Sequence, residues 1–170
     1  MKLTKHVFLV VAGLTLAACT DPAGVSGGAG VGLSGAGGAI VPGSANDPTS
    51  TAYFNQTVGD RVLFAVDQSS ITPEGQVTLD GQAQWLLTNT DFTAVIEGHA
   101  DEQGTREYNV ALGARRANAV KEYLVSRGIA GNRLQTVSFG KERPLELCST
   151  EVCYQKNRRA VTVLAGGLSS

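Results

Sequence analysis

The side chains best suited to chemistry lie in one short stretch between a predicted strand and a predicted long helix. Residues 97–105 read Glu-Gly-His-Ala-Asp-Glu-Gln-Gly-Thr, and the helix then adds Tyr108, Asn109, Arg115, Arg116 and Asn118. In α/β architectures, ligands commonly bind at the carboxyl ends of strands beside helix starts. The order of these residues therefore predicts a binding or catalytic site here.

A metal-dependent hydrolase is the enzyme class to weigh, because His99, Asp101 and Glu102 are all metal-ligating types. Catalytic zinc sites usually take several nitrogen or sulfur ligands. The chain has two histidines, and His6 falls within a predicted export signal, which leaves His99. We therefore expect a non-catalytic binding protein without a cofactor or metal, with the hydrolase as the alternative.

Alternating strand and helix patterns occupy residues 51–170 and must position this cluster. Strands are predicted at residues 62–66, 92–97, 134–139 and 160–164, and helices from Thr72, at 105–127 and at 149–156. Thr72 is followed by proline and an acid, as at a capped helix start, and Leu79, Ala83, Leu86 and Leu87 mark one face of that helix. This order predicts an α/β (α+β) two-layer sandwich with helices covering a mixed sheet.

The amino terminus has the organisation of an export signal. Lys2 and Lys5 give a basic start, and residues 7–17 are apolar, a run too short to span a bilayer as a helix. Residues 16–19, Leu-Ala-Ala-Cys, resemble the lipobox of bacterial lipoproteins, in which the cysteine is acylated. We predict a signal peptide over residues 1–18 and lipidation of Cys19. An ordinary signal peptide, with Cys19 incidental, is the alternative.

The segment after Cys19 is predicted to be a flexible linker that extends to residue 50. Residues 20–50 hold nine of the 21 glycines and few large side chains, and Gly-rich chains behave as flexible coils. Residues 30–35 match a dinucleotide-binding pattern, but that pattern needs a strand before it and a helix after it. We therefore expect no nucleotide site there.

The charge balance argues against nucleic acid as a partner. The chain has 14 basic and 15 acidic residues, and predicted removal of residues 1–18 takes away two lysines and no acid. Nucleic-acid-binding domains usually carry a clustered basic excess. We therefore expect no nucleic-acid partner.

Cys148 and Cys153 form an even pair in a chain predicted to be exported, where a structural disulfide is the usual outcome. Their C-x4-C spacing differs from the C-x2-C of common zinc sites. We expect the bridge to staple the short helix, away from the polar cluster, without affecting the choice of ligand.

Several motifs, in order, resemble the OmpA-like family of peptidoglycan-binding domains. They lie at residues 97–101, 104–105, 108–109, 112–113, 115–120, 140–142 and 157–161. Together they cover most of residues 51–170. The resemblance implies a βαβαβ(α)β domain over residues 51–170 that binds peptidoglycan.

The resemblance also implies a ligand, the diaminopimelate end of a peptidoglycan stem peptide. Asp101 would hold its ammonium, Arg116 would pair with a carboxylate, and Asp67 would line the pocket. A fixed anion and a planar guanidinium suit such a zwitterion. Taken singly, Asp101 could instead cap its loop, and Arg116 could pair with a surface acid. Further lining positions are Asn109, Leu112 and Asn118.

Neighbouring residues are expected to be structural. His99 is predicted to be a hydrogen-bonded structural histidine, and Arg158 to be structural at the edge of the pocket. Tyr108 and Trp85 are predicted to be core or half-buried packing residues. The resemblance also implies a protein anchored in outer-membrane lipid through Cys19. It would link that membrane to the cell wall with Tol proteins, TolB among them, and support envelope integrity and cell division. A cell-wall hydrolase built on His99, Asp101 and Glu102 remains the alternative.

Overall fold

The computed structural model describes residues 40–166, which form one mixed four-stranded sheet with helices packed on it, so the predicted fold class is confirmed. The strands are β1 (Arg61–Leu63), β2 (Phe92–His99), β3 (Leu134–Gly140) and β4 (Arg159–Gly166), in the order β1-β4-β2-β3. The helices are α1 (Thr51–Tyr53), α2 (Pro73–Thr88), α3 (Arg106–Ser126) and α4 (Glu151–Asn157). A π-helical turn, Phe54–Gly59, extends α1, and a 3-10 turn, Gly131–Arg133, precedes β3.

Strand direction brings four chain segments to one edge of the sheet. β2 pairs parallel to β3, and β4 pairs antiparallel to both β1 and β2. β1, β2 and β3 therefore all end at the same edge, called the carboxyl edge below, and β4 begins there. The loops that follow β1 and β2 and the residue that precedes β4 consequently meet at this edge.

The first strand is shorter than the predicted span of residues 62–66. Pairing with β4 ends at Leu63, after which the Phe64 N–H donates to the Arg158 carbonyl at 2.9 Å. The chain then turns through Asp67, which has a φ of 56°. Among non-glycine residues, aspartate and asparagine tolerate this left-handed conformation best. The turn directs Asp67 toward α3 instead of continuing the strand.

Side-chain caps begin both long helices at the predicted residues. The Thr72 hydroxyl accepts from the Gly75 N–H at 3.1 Å, and the Thr105 hydroxyl accepts from the Tyr108 N–H at 3.2 Å. The buried face of α2 differs from the prediction at its end, because Leu87 is 45% exposed. Leu86 is buried, and a residue one position later points about 100° away around a helix.

Two glycines allow α3 to lie directly on β2. A Cβ atom added to Gly98 would meet the Gly113 backbone carbonyl oxygen at 1.8 Å, and one added to Gly113 would meet Ser138 Oγ at 2.4 Å. Neither position tolerates a side chain without moving the helix. This close approach holds the first turns of α3 against the carboxyl edge, next to the loop that follows β2.

The described residues include 40–50, which belong to the segment that the sequence predicts to be a flexible linker. The Trp85 indole N–H donates to the Pro48 carbonyl at 2.7 Å, and the Ser50 hydroxyl caps α1 by accepting from the Tyr53 N–H at 2.9 Å. Phe54 packs on Trp85 in the core, with ring centroids 5.0 Å apart. The predicted signal peptide, Cys19 and residues 20–39 lie outside the described residues. Within residues 40–166, none of the helices has the length and apolar character needed to span a membrane.

Candidate functional site

A cavity of about 260 Å³ opens at the carboxyl edge. Its walls come from the turn after β1, the loop after β2, the first turns of α3 and the residue before β4. The lining residues are Val66, Asp67, Asp101, Gln103, Gly104, Tyr108, Asn109, Leu112, Arg116 and Arg158. Five of the six predicted peptidoglycan-contacting residues therefore surround one space.

Asn118, the sixth, lies elsewhere. Its side-chain oxygen accepts from the Thr136 hydroxyl of β3 at 3.2 Å. Asn118 follows Arg116 by two positions, which is about 200° around a helix, so the two side chains point in nearly opposite directions. Asn118 therefore does not line this cavity, and a contact between Asn118 and peptidoglycan stays a prediction.

Arg116 is fully buried, and backbone carbonyls surround its guanidinium. Nε donates to Gln68 O at 2.8 Å, Nη1 to His99 O at 2.8 Å, and Nη2 to Ala65 O at 3.2 Å. Burial lowers the pKa of Arg116 to about 10, with the nearby Asp101 charge acting in the opposite direction, so the group stays charged at neutral pH. Among residues 40–166 it forms no ion pair. The alternative of pairing with a surface acid is therefore wrong.

Asp101 is buried and pairs with Arg158. Its Oδ2 accepts from Arg158 Nη1 at 3.1 Å, and its Oδ1 accepts from the Gln103 N–H at 3.2 Å. The second bond matches the predicted alternative that Asp101 caps its own loop. Arg158 is also buried and donates to Glu151 of α4. Arg158, which was predicted to lie at the edge of the pocket, thus forms part of the cavity wall.

Asp67 and Tyr108 face each other across the cavity mouth. The Tyr108 hydroxyl donates to Asp67 Oδ1, and this bond raises the pKa of Tyr108. Tyr108 is 43% exposed and lines the cavity, a position that the prediction of a core or half-buried packing residue did not include. It lies one turn before Leu112 on α3, and that i, i+4 spacing could have identified it as a lining residue.

Asn109 and Leu112 complete the interior of the cavity. Asn109 is buried and donates from Nδ2 to the Gln103 carbonyl at 2.8 Å, which fixes the loop after β2. Leu112 is buried beside Arg116 and supplies an apolar wall. The site therefore combines two carboxylates, two guanidiniums and a short apolar surface.

His99 is buried at the end of β2 and lacks the predicted side-chain hydrogen bonds. Within residues 40–166 neither ring nitrogen has a hydrogen-bond partner, and Nε2 lies 3.6 Å from a Glu97 carboxylate oxygen. Burial, followed by the charges of Arg159 and Arg143, lowers the pKa of His99 to about 4. The imidazole is therefore neutral at pH 7. In the described part of the chain, no three His, Cys, Asp or Glu side chains converge as metal ligands.

The disulfide segment is closer to the site than the sequence suggested. Cys148 and Cys153 are bonded, with Cα atoms 5.8 Å apart. Ser149, within the closed ring, donates to Glu102 Oε1 at 2.6 Å. Glu102 directly follows Asp101, so the expectation that the bridge lies away from the polar cluster is wrong.

A larger cavity, of about 550 Å³, lies between β1 and the start of α2. Its charged groups are Arg61, Glu74, Glu146 and Lys156, and each of them reaches solvent. Water screens exposed charges strongly. The smaller cavity has buried charges of both signs and is therefore the better candidate for recognising a small charged ligand.

Comparisons with known proteins agree with the motifs. Residues 63–158 match the OmpA family. The chain is 49% identical to the peptidoglycan-associated lipoprotein of Mesorhizobium japonicum, over 96% of this chain and 95% of that protein. It is 52% identical to the protein of the same name from Rhizobium meliloti, over 90% and 83%. The crystal structure of the peptidoglycan-associated lipoprotein from Burkholderia pseudomallei aligns with a TM-score of 0.63 at 36% identity, over 71% of this chain and 98% of that one. This chain belongs to the OmpA family.

Proposed function

We propose that this protein binds peptidoglycan non-covalently and takes the diaminopimelate end of a stem peptide into the cavity at the carboxyl edge. The observation that carries the proposal is the presence of two carboxylates and two buried guanidiniums around one space of about 260 Å³. Relatives that share about half of their sequence with this chain are named for their association with peptidoglycan. The proposed function is binding and not catalysis.

The free groups of Asp101 and Arg116 match the two charges of this ligand. Each Asp101 oxygen accepts one bond from the protein, and a carboxylate has about four lone-pair sites, so acceptors remain for an ammonium. Arg116 uses three of its N–H groups on carbonyls, and a guanidinium has five. Two donors therefore remain for a carboxylate.

Asp67 and Leu112 account for the rest of the ligand. Asp67 faces the mouth from its left-handed turn and adds a second anion near the ammonium. Leu112 offers an apolar wall to the methylene groups. Drug-sized ligands occupy larger pockets, of roughly 300–1,000 Å³, so this cavity suits the end of one amino-acid side chain.

We place the protein in the outer membrane, facing the periplasm and anchored by acyl chains on Cys19. Thr20 favours this membrane, because the inner-membrane retention signal of some bacteria is acidic at that position. The protein would then join the outer membrane to the cell wall, with TolB and other Tol proteins as partners. Cys19→Ser should move it from the membrane fraction to the soluble periplasm. Retention on salt-washed membranes would contradict the lipid anchor.

The test of ligand recognition uses mature protein carrying Cys19→Ser and two kinds of purified peptidoglycan. Diaminopimelate stems offer an ammonium and a carboxylate at the side-chain end, whereas lysine stems offer the ammonium alone. A lysine stem offers Arg116 no carboxylate, so its binding free energy should be less favourable by at least 1.4 kcal/mol, which is about tenfold in affinity. Co-sedimentation measures both affinities. A third peptidoglycan, with amidated diaminopimelate in its stems, is the matched control. Equal binding to all three would refute the proposed recognition.

A further inference from the structure

Two carboxylates accept hydrogen bonds from one buried guanidinium next to the cavity. Arg158 Nη1 donates to Asp101 Oδ2 at 3.1 Å and to Glu151 Oε2 at 3.5 Å, Nη2 donates to Glu151 Oε1, and Nε donates to the Phe64 carbonyl at 3.3 Å. Arg158 is buried, whereas the Glu151 side chain is 65% exposed. A residue at the protein surface therefore helps to set the position of a charge inside the site.

Glu151 also changes the charge that Asp101 presents to a ligand. An Asp101–Arg158 pair alone would be neutral, so its attraction for an ammonium would be weak. Glu151 adds a second anion to the same guanidinium, and the three groups together are negative. Charge interactions are stronger in a partly buried site than in bulk water. The shared guanidinium thus leaves Asp101 able to attract a cation.

The disulfide constrains Glu151 and the loop that carries Asp101. Residues 148–153, called the disulfide loop below, include Glu151 and are closed by the Cys148–Cys153 bond. Ser149 donates to Glu102 Oε1 at 2.6 Å, and Tyr154, immediately after the loop, donates to the same atom at 2.9 Å. The disulfide loop therefore meets the cavity by two routes, one through Glu102 and one through Arg158.

We propose that Glu151 is a positioning residue for recognition of the ligand's ammonium, and that the disulfide loop holds Glu151 in that position. Glu151 draws Arg158 toward α4 and leaves Asp101 available to the cation. This inference rests on the proposed function and adds a specificity to it. The site should prefer a stem peptide whose diaminopimelate amine is free over one whose amine is acylated, as in a cross-link.

The test measures two affinities for each variant by calorimetry, with a soluble diaminopimelate stem peptide and with the same peptide acetylated on its side-chain amine. Glu151→Gln preserves the side-chain shape and removes the charge. Glu146→Gln is the matched control, because Glu146 lies in the same region and pairs with Lys156 at 2.8 Å. Asp101→Asn is the control for the site itself, and Cys148→Ser with Cys153→Ser releases the disulfide loop.

Glu151→Gln should weaken binding of the free-amine peptide by roughly threefold, the size expected for one partly exposed ion pair. Binding of the acetylated peptide should change little, so the preference between the two peptides falls. The cysteine double variant should shift the preference in the same direction, and Glu146→Gln should leave it unchanged. If Glu151 had only a general structural role, Glu151→Gln would lower the affinity for both peptides by the same factor.

The outcomes separate the two proposals. If Asp101→Asn loses the free-amine peptide while Glu151→Gln keeps the wild-type preference, the positioning role is wrong and the proposed function stands. An equal loss of both peptides in Glu151→Gln also overturns the positioning role. A wild-type protein that binds neither peptide overturns the proposed function and this inference with it. If the cysteine variant fails to fold, Glu151→Gln decides alone.

Discussion

Arg116 and Arg133 lie at opposite ends of β2, and each donates to three backbone carbonyl groups. Arg116 ties the turn after β1 to the end of β2. Arg133 ties the end of α2 to the start of β2, with bonds of 3.1 Å to Leu86 O, 3.1 Å to Asn89 O and 2.6 Å to Phe92 O. Both residues thus fasten a loop to the sheet in the same way.

The surroundings of the two guanidiniums differ. Arg133 sits at the carboxyl end of α2, where the helix dipole is negative and compensates a cation. Arg116 has no helix end at its three acceptors, and it borders a cavity that also contains Asp67 and Asp101. The two arginines thus share their carbonyl contacts and differ in burial and in what they border. Arg116 is fully buried and lines the cavity that we propose as the ligand site.

The largest effect should follow Arg116→Ala. Binding of diaminopimelate peptidoglycan should weaken at least tenfold, because the ligand's carboxylate loses its partner. The change also removes the Arg116 donor from three carbonyls, of which Ala65 O keeps a backbone donor, the Gln68 N–H at 3.2 Å. The free energy of unfolding should therefore also fall by roughly 3 kcal/mol. Urea unfolding and co-sedimentation on the same protein measure both quantities. Wild-type binding by the folded variant would exclude Arg116 from the site.

Arg133→Ala should show that the two ends of β2 differ in their effect on binding. Its loss frees carbonyls that lie nearer to solvent, since Arg133 is half-buried, so unfolding should become easier by about 2 kcal/mol. Peptidoglycan affinity of the folded variant should stay within twofold of wild type. A matching loss of affinity would mean that the two ends are coupled, and the distinction between them would fail.

Local chemistry explains which features were predictable. The caps at Thr72 and Thr105 depend on neighbouring residues, and both lie where the sequence placed them. The π-helical turn after α1 was not predicted, because it has no 3.6-residue apolar pattern. β1 is shorter than predicted, because pairing ends at Leu63 and the chain then turns at Asp67. The apolar residues between these positions are equally compatible with a longer strand, so their sequence did not reveal the end of β1.

The charged pairs of the site were less accessible to sequence reasoning. Through the family resemblance, the residue types at 101 and 116 led to the prediction of a site for a zwitterion, and the structure places both residues around one cavity. The partner of Asp101, however, is Arg158, 57 positions away, and the partner of Arg158 lies in the disulfide loop. Which of several arginines faces a given carboxylate depends on strand order, and β4 inserts between β1 and β2.

The smallest expected effect concerns His99, whose carbonyl accepts from Arg116 and whose ring is buried and neutral. The unfolded chain takes up a proton near pH 6.5, whereas in the folded protein burial lowers the His99 pKa to about 4. The stability that depends on neutral His99 is therefore present above pH 6.5 and is lost as the pH falls toward 4. From pH 7 to pH 5.5 the loss should be about 1 kcal/mol.

The comparison for this prediction is His99→Phe, which retains a ring to stack on Phe139 and cannot titrate. Thermal unfolding of both proteins from pH 7 to pH 5.5 isolates the histidine, because the carboxylates titrate in each. As the pH falls, amide exchange should rise first around residues 99–101 and only at lower pH around Arg133, because protonation of His99 destabilises the carboxyl edge first. Parallel pH curves for the two proteins would show that His99 gains no proton on unfolding and would contradict its buried, neutral state.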